Sequence, residues 1–336
     1  MDYRKTKFYF GKAFGPDMET KFYQGTRLFD FSAYQCKLLG IRKFFDAEWV
    51  ECSQYEAVTS GEGNEKEKID SAFSSSLQSL LFFAQAPNKG ITIPFEDGDR
   101  TFNKVIFEYK NKVIGYPSSV DVVLYDDTGD SICFVESKLL EIVRDSNKEG
   151  KAEVGISYFA KKGVGYCETL GLAVSDLKNL GMTVPTEEFL DVVKGSGFSN
   201  QFIKPLSGNT YVYSYGIKQV LSHLIGIVAF LKGESAYDAG DPLPLKMRSF
   251  KKCYYLQLYN ELPDFDGDKD AKTKLENFET HFKAVTKTVM DKMPKKKDKP
   301  SIDHIEIMTY QKLFEKNEQR GLISDVIRDY YHLKDK

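Results

Sequence analysis

Asp121 opens one short apolar run, and Glu136-Ser137-Lys138 closes the next. A carboxylate followed across a hairpin by an acidic-x-Lys triplet is a set of groups suited to divalent-metal cleavage of a phosphodiester. Mg²⁺ takes hard oxygen ligands in near-octahedral geometry and keeps several waters, so one or two carboxylates plus a substrate phosphate complete its shell. Asp121 and Glu136 are the candidate carboxylate ligands, and the backbone carbonyl of Ser137 is a candidate third oxygen. A bound ion of this kind activates water and neutralises phosphate charge. Lys138 would orient that water or stabilise the developing negative charge. Alone, the triplet is a common ion pair on an exposed strand end. The upstream aspartate across a hairpin gives it weight.

The elements that must position these groups are strands. Alternate residues of a strand share a face, so Glu136 and Lys138 point the same way as Ile132 and Phe134, and Cys133, Val135 and Ser137 point the other way. The turn Asp126-Asp127-Thr128-Gly129-Asp130 predicts a hairpin between strands over 120–125 and 132–138, bringing Asp121 near the Glu136 end. Further strands are expected over 90–94, 104–109, 253–259 and 302–308. Helices are expected over 66–84, 187–194, 215–232 and 271–290, with one or two more closing the chain. Asn88-Lys89-Gly90 ends the first helix. This order predicts an α/β or α+β sandwich around a mixed sheet.

The helix over 215–232 carries Ile217, Val220, Leu221, Leu224, Val228 and Leu231 on one stripe. Its opposite stripe, Tyr215, Gln219, His223, Gly226 and Phe230, is polar but uncharged and predicts a face toward a cleft. Gln219 and His223, one turn apart, would touch a phosphate or a water, unless they are simply two satisfied core polar groups. The first helix repeats the pattern with Ser71, Ser75, Gln78 and Phe82, which reads as a serine-rich close-packing surface ahead of the alternative, a face near the site with Gln78 reaching it. Glu141 would support Lys138 or cap the next loop. The run Lys295 to Lys299 reads as a solvated linker or a DNA-backbone contact. Asp264, Asp266, Asp268 and Asp270 alternate, but Leu275 stands where a calcium loop needs glutamate.

The 47 Lys+Arg against 49 Asp+Glu leave a net charge of -2, which argues against a protein that coats DNA along its whole surface. An enzyme whose acidic site offsets a basic groove fits better. No secretory signal or membrane-length apolar run is evident. The five cysteines are scattered without a C-x-x-C pair, so neither zinc nor a disulfide framework is expected, and a cytoplasmic location is.

These residues resemble the PD-(D/E)xK nuclease superfamily. The similarity lies in Ser118 to Leu124 around Asp121, Phe134 to Glu141 around Glu136 and Lys138, and Gly216 to Gly226 around Gln219 and His223, in a bacterial branch of that superfamily. The resemblance implies a restriction-endonuclease-like α/β core, with a mixed central sheet flanked by helices and N- and C-terminal additions. The resemblance covers about Ser71 to Leu231 and says little about the termini; the expected division is an N-terminal extension over 1–64 packing on the core, a nuclease core over 65–260, and a helix-strand-helix addition over 261–336 completing the same domain. It also implies DNA as substrate, Mg²⁺ as cofactor with Mn²⁺ substituting, Asp121 and Glu136 as ligands with Ser137, and Lys138, Gln219 and His223 in the catalytic set. A homodimer is expected if both strands are cut. The sequence departs from the pattern at Pro117, four residues before the aspartate, and lacks the first-helix acid unless Glu65 or Glu67 supplies it. The alternatives are a non-catalytic nucleic-acid-binding or assembly module on the same fold, and an RNA or structure-specific nuclease.

Overall fold

The computed structural model describes residues 75–111, 118–139, 142, 171, 175–176, 217–233, 250–261, 269–293 and 301–318. The extension over 1–64, the helix over 187–194, Ser71, Tyr215, Pro117, Glu65, Glu67, Glu141, Asp264, Asp266, Asp268 and the Lys295 to Lys299 run all lie outside them.

The described chain is mixed α/β around a five-stranded mixed sheet. In chain order the elements are α1 (Ser75–Phe83), α2 (Ala86–Lys89), β1 (Ile91–Phe95), β2 (Gly98–Phe102), β3 (Lys104–Asn111), β4 (Ser118–Tyr125) and β5 (Ser131–Lys138). They continue with α3 (Ile217–Leu231), β6 (Lys252–Tyr259), α4 (Lys269–Lys292), β7 (His304–Thr309) and α5 (Tyr310–Glu318). The large sheet has the order β3-β4-β5-β6-β7, and β1 and β2 form a separate hairpin. β3, β4 and β5 are antiparallel neighbours, whereas β6 runs parallel to β5 and β7 parallel to β6.

β5 is the central strand, and its residues are buried from Ser131 to Ser137. Helices cover both faces, which is why it reads as an unbroken apolar run rather than an alternating one. On one face Ile132, Phe134 and Tyr255 join Val220, Leu221 and Leu224 of α3 and Phe278, Phe282, Val285 and Val289 of α4 in a single apolar cluster. On the other face Ser137 meets Tyr310 of α5, and the Tyr310 ring packs edge-on against Phe82 of α1.

The β4–β5 turn is held by one side chain. Asp126 Oδ1 accepts from Thr128 Oγ1 at 2.6 Å and from Asp130 N at 2.9 Å, and its Oδ2 accepts from Ser131 N at 2.7 Å. Gly129 turns the chain with φ of 74°. That turn fixes the register Val122↔Val135 through Tyr125↔Ile132, and with it the level at which Asp121 meets Glu136.

Several elements differ from the sequence expectation. Rather than the first helix simply ending at 88–90, α1 stops at Phe83 and a short α2 follows, with Pro87 in its first turn and Gly90 (φ 75°) closing it. Pro fits a first turn, where its missing N–H is no loss. The strand β2 was not expected, because Gly98-Asp99-Arg100-Thr101-Phe102 is polar and follows a turn signal. Its partner β1 and the bonds from Arg100 Nε to Tyr254 Oη (2.9 Å) and from Tyr254 Oη to Asp97 Oδ2 (3.0 Å) hold it in place. The last strand begins at His304, while Ile302 is buried ahead of it. Among the described residues no helix is long and apolar enough to cross a membrane.

The polar stripe of α3 does not face an open cleft. Phe230 is buried in the apolar cluster, against the rings of Tyr109 and Phe134, and Gly226 lies against Asn111 of β3. The helix is sandwiched between the sheet and α4, so the described residues of both stripes are buried or half-buried. A Cβ at position 226 would stand 2.6 Å from the Asn111 Cβ, closer than packed carbons allow. Gly226→Ala is expected to cost about 1–3 kcal/mol of unfolding free energy through overpacking. Urea unfolding checks this, and an unchanged midpoint would contradict the close approach.

Candidate active site

The site is built where β4 and β5 separate. Their ladder ends at Val122↔Val135. One step further, at the level of Asp121 and Glu136, a side chain replaces the ladder: Asp121 Oδ2 accepts from Ser137 N at 2.6 Å. In an antiparallel pair the N–H and C=O of one residue point to the same neighbour. The Ser137 carbonyl therefore points into the same gap. The flanking carbonyls point the other way: Glu136 O accepts from Gln257 Nε2 at 3.2 Å, and Lys138 O accepts from Asn260 N at 3.2 Å.

Glu136 is 2% exposed. An ionised carboxylate buried this deeply must be paired and hydrogen-bonded, and three side chains converge on it. Its Oε1 accepts from Lys138 Nζ at 2.5 Å and from Gln219 Nε2 at 2.7 Å. His223 Nε2 lies 3.1 Å from Oε2. That contact has ion-pair distance but not hydrogen-bond alignment, and neither atom has any other partner. At the far side of the ring, His223 Nδ1 is 2.6 Å from Ser118 Oγ.

The structure thus brings Asp121, Glu136, Ser137, Lys138, Gln219 and His223 into one place. Gln219 and His223 contact Glu136 rather than open solvent, and His223 is 1% exposed. Gln78 is fully buried without a hydrogen-bond partner, so it binds none of these groups. Its neighbour Ser79 faces Tyr310, on the side of the sheet opposite Glu136.

Sequence reasoning missed four contributors. Ser118 anchors His223. Gln257 lies level with Glu136 on β6 and is itself bonded by Tyr255 Oη at 3.3 Å. The fourth, Glu108, stands opposite Asp121 in the β3–β4 register, at the one step where the pairing is interrupted between Phe107↔Val122 and Tyr109↔Val120. Glu108 has φ of 51°, the one non-glycine positive φ among the described residues. A left-handed backbone at a non-glycine residue costs about 1–3 kcal/mol. It also rotates the strands: Ile106 and Val123 before it, and Tyr109 and Val120 after it, all join the same apolar cluster, although residues three apart in a regular strand point to opposite faces. No propensity in the sequence signals this. A glutamate on an edge strand directly across from Asp121 is visible only once the register is known.

The electrostatics of the two carboxylates diverge. Burial works against the charged form of Glu136, but Lys138 and then His223 outweigh it and hold the carboxyl at about 2. Burial pushes Asp121 well above the usual carboxylate range, and Glu136 and Glu108 add to that, against a smaller opposing pull from Lys138 and the Ser137 N–H. Asp121 therefore faces two like charges with little cationic compensation. Among the described residues no three His, Cys, Asp or Glu side chains gather as a metal-binding cluster. A cation here would draw on two carboxylates and a backbone carbonyl, a set that suits Mg²⁺ because it retains waters. Glu136 Oε2, which accepts no hydrogen bond, and the Ser137 carbonyl are consistent with that set. No family model, curated protein or solved structure matches the chain.

Glu136→Gln would leave Lys138 without its counter-charge and is expected to cost about 3 kcal/mol at pH 7. The folded carboxyl sits at about 2, below its unfolded value of roughly 4.3. Its stabilisation is therefore complete above the unfolded value and lost as pH falls toward 2. The stability gap between wild type and variant should be flat above pH 5 and close below it. Denaturant unfolding at a series of pH values measures this, and a gap constant down to pH 2 would contradict the ion pair.

Proposed function

We propose that the chain is a Mg²⁺-dependent nuclease of the PD-(D/E)xK type, with a restriction-endonuclease-like core and DNA as its substrate. One observation carries the reading. Asp121 and Glu136 meet where two adjacent strands part, with Lys138 two residues on and Gln219 arriving from a helix against the same carboxylate. The resemblance of the three sequence segments supplies the substrate class.

Asp121, Glu136 and the Ser137 carbonyl would hold the ion, which supplies water activation and charge neutralisation at the phosphate. Lys138 keeps its ammonium against Glu136, 12% exposed at its side chain, and so fixed in position at the strand end. A phosphate placed there would meet a cation that needs no reorganisation to receive developing charge. Gln219 and His223 orient the Glu136 carboxylate from α3, Gln219 at Oε1 and His223 at Oε2. They are positioning groups, in place of the direct substrate contacts expected from their spacing. Mn²⁺ would substitute for Mg²⁺. A cytoplasmic restriction, defence or DNA-processing role accords with these features, and cutting both strands would call for a homodimer.

A second reading, a non-catalytic nucleic-acid-binding or assembly module, draws on one observation. Glu136 is nearly inaccessible, and its Oε1 is already satisfied by Lys138 and Gln219.

The two readings separate on supercoiled plasmid and labelled single-stranded DNA with Mg²⁺ or Mn²⁺, using wild type, Glu136→Ala and Lys138→Ala. The nuclease reading expects metal-dependent cutting, reduced at least about a hundredfold by either substitution. Linearisation without a nicked intermediate would indicate a dimer. A wild type that cuts no DNA with either metal would overturn the DNA-nuclease reading and leave the binding module or a nuclease acting on RNA or on another nucleic-acid structure.

A further inference from the structure

We propose that Tyr310 is a positioning residue for the candidate active site, setting the Glu136–Lys138 strand end from the opposite face of the sheet. The inference rests on the nuclease reading above and adds to it a residue on the face of the sheet opposite Glu136.

Ser137 links the two faces. Its backbone N–H holds Asp121 on the site side, while its side chain, fully buried, points away. There its Oγ is 2.8 Å from Tyr310 Oη, and the same phenol oxygen is 3.3 Å from Ser79 Oγ. Tyr310 is itself fully buried, and its ring packs edge-on against Phe82 with centroids 5.3 Å apart. On this face of β5 the neighbouring positions are Cys133 and Val135. A small apolar residue at 137 would pack there equally well. The hydroxyl is needed for the bond to Tyr310.

The grip on β5 is double. Tyr310 is the first residue of α5 and follows β7 without a loop. The next residue, Gln311, donates through Nε2 to Asn260 Oδ1 at 2.7 Å and to Glu261 O at 2.5 Å, and its Oε1 accepts from Glu261 N at 3.2 Å. Asn260 N in turn donates to Lys138 O at 3.2 Å. The start of α5 therefore reaches Ser137 through Tyr310 and Lys138 through Asn260. The other end of α5 is tied down as well: Asn317 Nδ2 donates to Thr92 O at 2.9 Å, and Thr92 N donates to Asn317 Oδ1 at 2.8 Å. A helix fixed at both ends holds the strand end that its first turn grips. Tilting the Ser137 peptide would move the N–H that orients Asp121, together with the Cα atoms of Glu136 and Lys138. Small displacements of reacting groups cost rate far more than they cost stability.

The test uses the full chain as Tyr310→Phe, Ser137→Ala and the double variant, with Mg²⁺-dependent cleavage kinetics, melting temperature and amide exchange. Tyr310→Phe keeps the ring and should fold. It is expected to lower kcat about tenfold with KM within about twofold. Ser137→Ala should do the same, and the double variant should lose no more than Tyr310→Phe, because both single variants remove the same Ser137–Tyr310 bond. Exchange of a peptide covering 133–139 should quicken, while peptides from α4 do not change. A residue that merely stabilised the core would lower the melting temperature without splitting kcat from KM. Wild-type cleavage with an unaffected Tyr310→Phe, or losses that multiply in the double variant, would overturn the inference alone. A wild type that cuts nothing would overturn it together with the nuclease reading, and unchanged exchange at 133–139 in Tyr310→Phe would show that the grip itself is absent.

Discussion

A carboxylate buried at the end of a central apolar strand is the constraint around which the described structure is arranged. Glu136 lies at 2% exposure in β5, where an unpaired charge is untenable. Three side chains answer its carboxylate, Lys138 from β5 itself and Gln219 and His223 from α3, with Ser118 of β4 behind His223, while Gln257 of β6 bonds its backbone carbonyl. Replacing such a network with packed apolar residues is often neutral or stabilising. Its presence directly after the buried apolar run Ile132-Cys133-Phe134-Val135 therefore argues for a role other than holding the fold together.

Beside it, Asp121 is the opposite case. It is held by one backbone N–H and stands between two other carboxylates, Glu136 and Glu108. The β3 backbone adopts a left-handed conformation at Glu108 to make that arrangement. Strain and like-charge crowding at one level of the sheet are costs that a purely structural site would shed. A divalent cation is the type of ligand that would relieve the crowding, since it supplies the missing positive charge to oxygen donors already in place.

The sequence was legible where the physics is local. The Asp-rich turn announced the β4–β5 hairpin, and period-two alternation placed Glu136 and Lys138 on one face and Ser137 on the other. The 3.6-residue period placed Gln219 and His223 on a common stripe of α3. It could not say what that stripe faces, because the direction of a helix face depends on α4, a distant segment that covers the other side. That is why a cleft was expected where the structure has a buried contact with Glu136. Glu108, Ser118, Gln257 and Tyr310 were hidden for the same reason: each gains its meaning only through register or through a partner far along the chain. The hairpin strand β2 was missed because its stability comes from its pairing with β1 and from Tyr254 and Asp97 rather than from apolar alternation. The proposal of a restriction-endonuclease-like core rests on motif resemblance, and the sheet order alone does not single it out.

The measurement that bears most directly on this account is calorimetric titration of Mn²⁺ into the wild-type chain, Asp121→Asn and Glu136→Gln, without nucleic acid. Binding by the wild type that is lost or weakened at least about tenfold in both variants is the result the account predicts. Absence of binding to the wild type, or equal binding by all three chains, would contradict it and return the Asp121–Glu136 pair to a structural role.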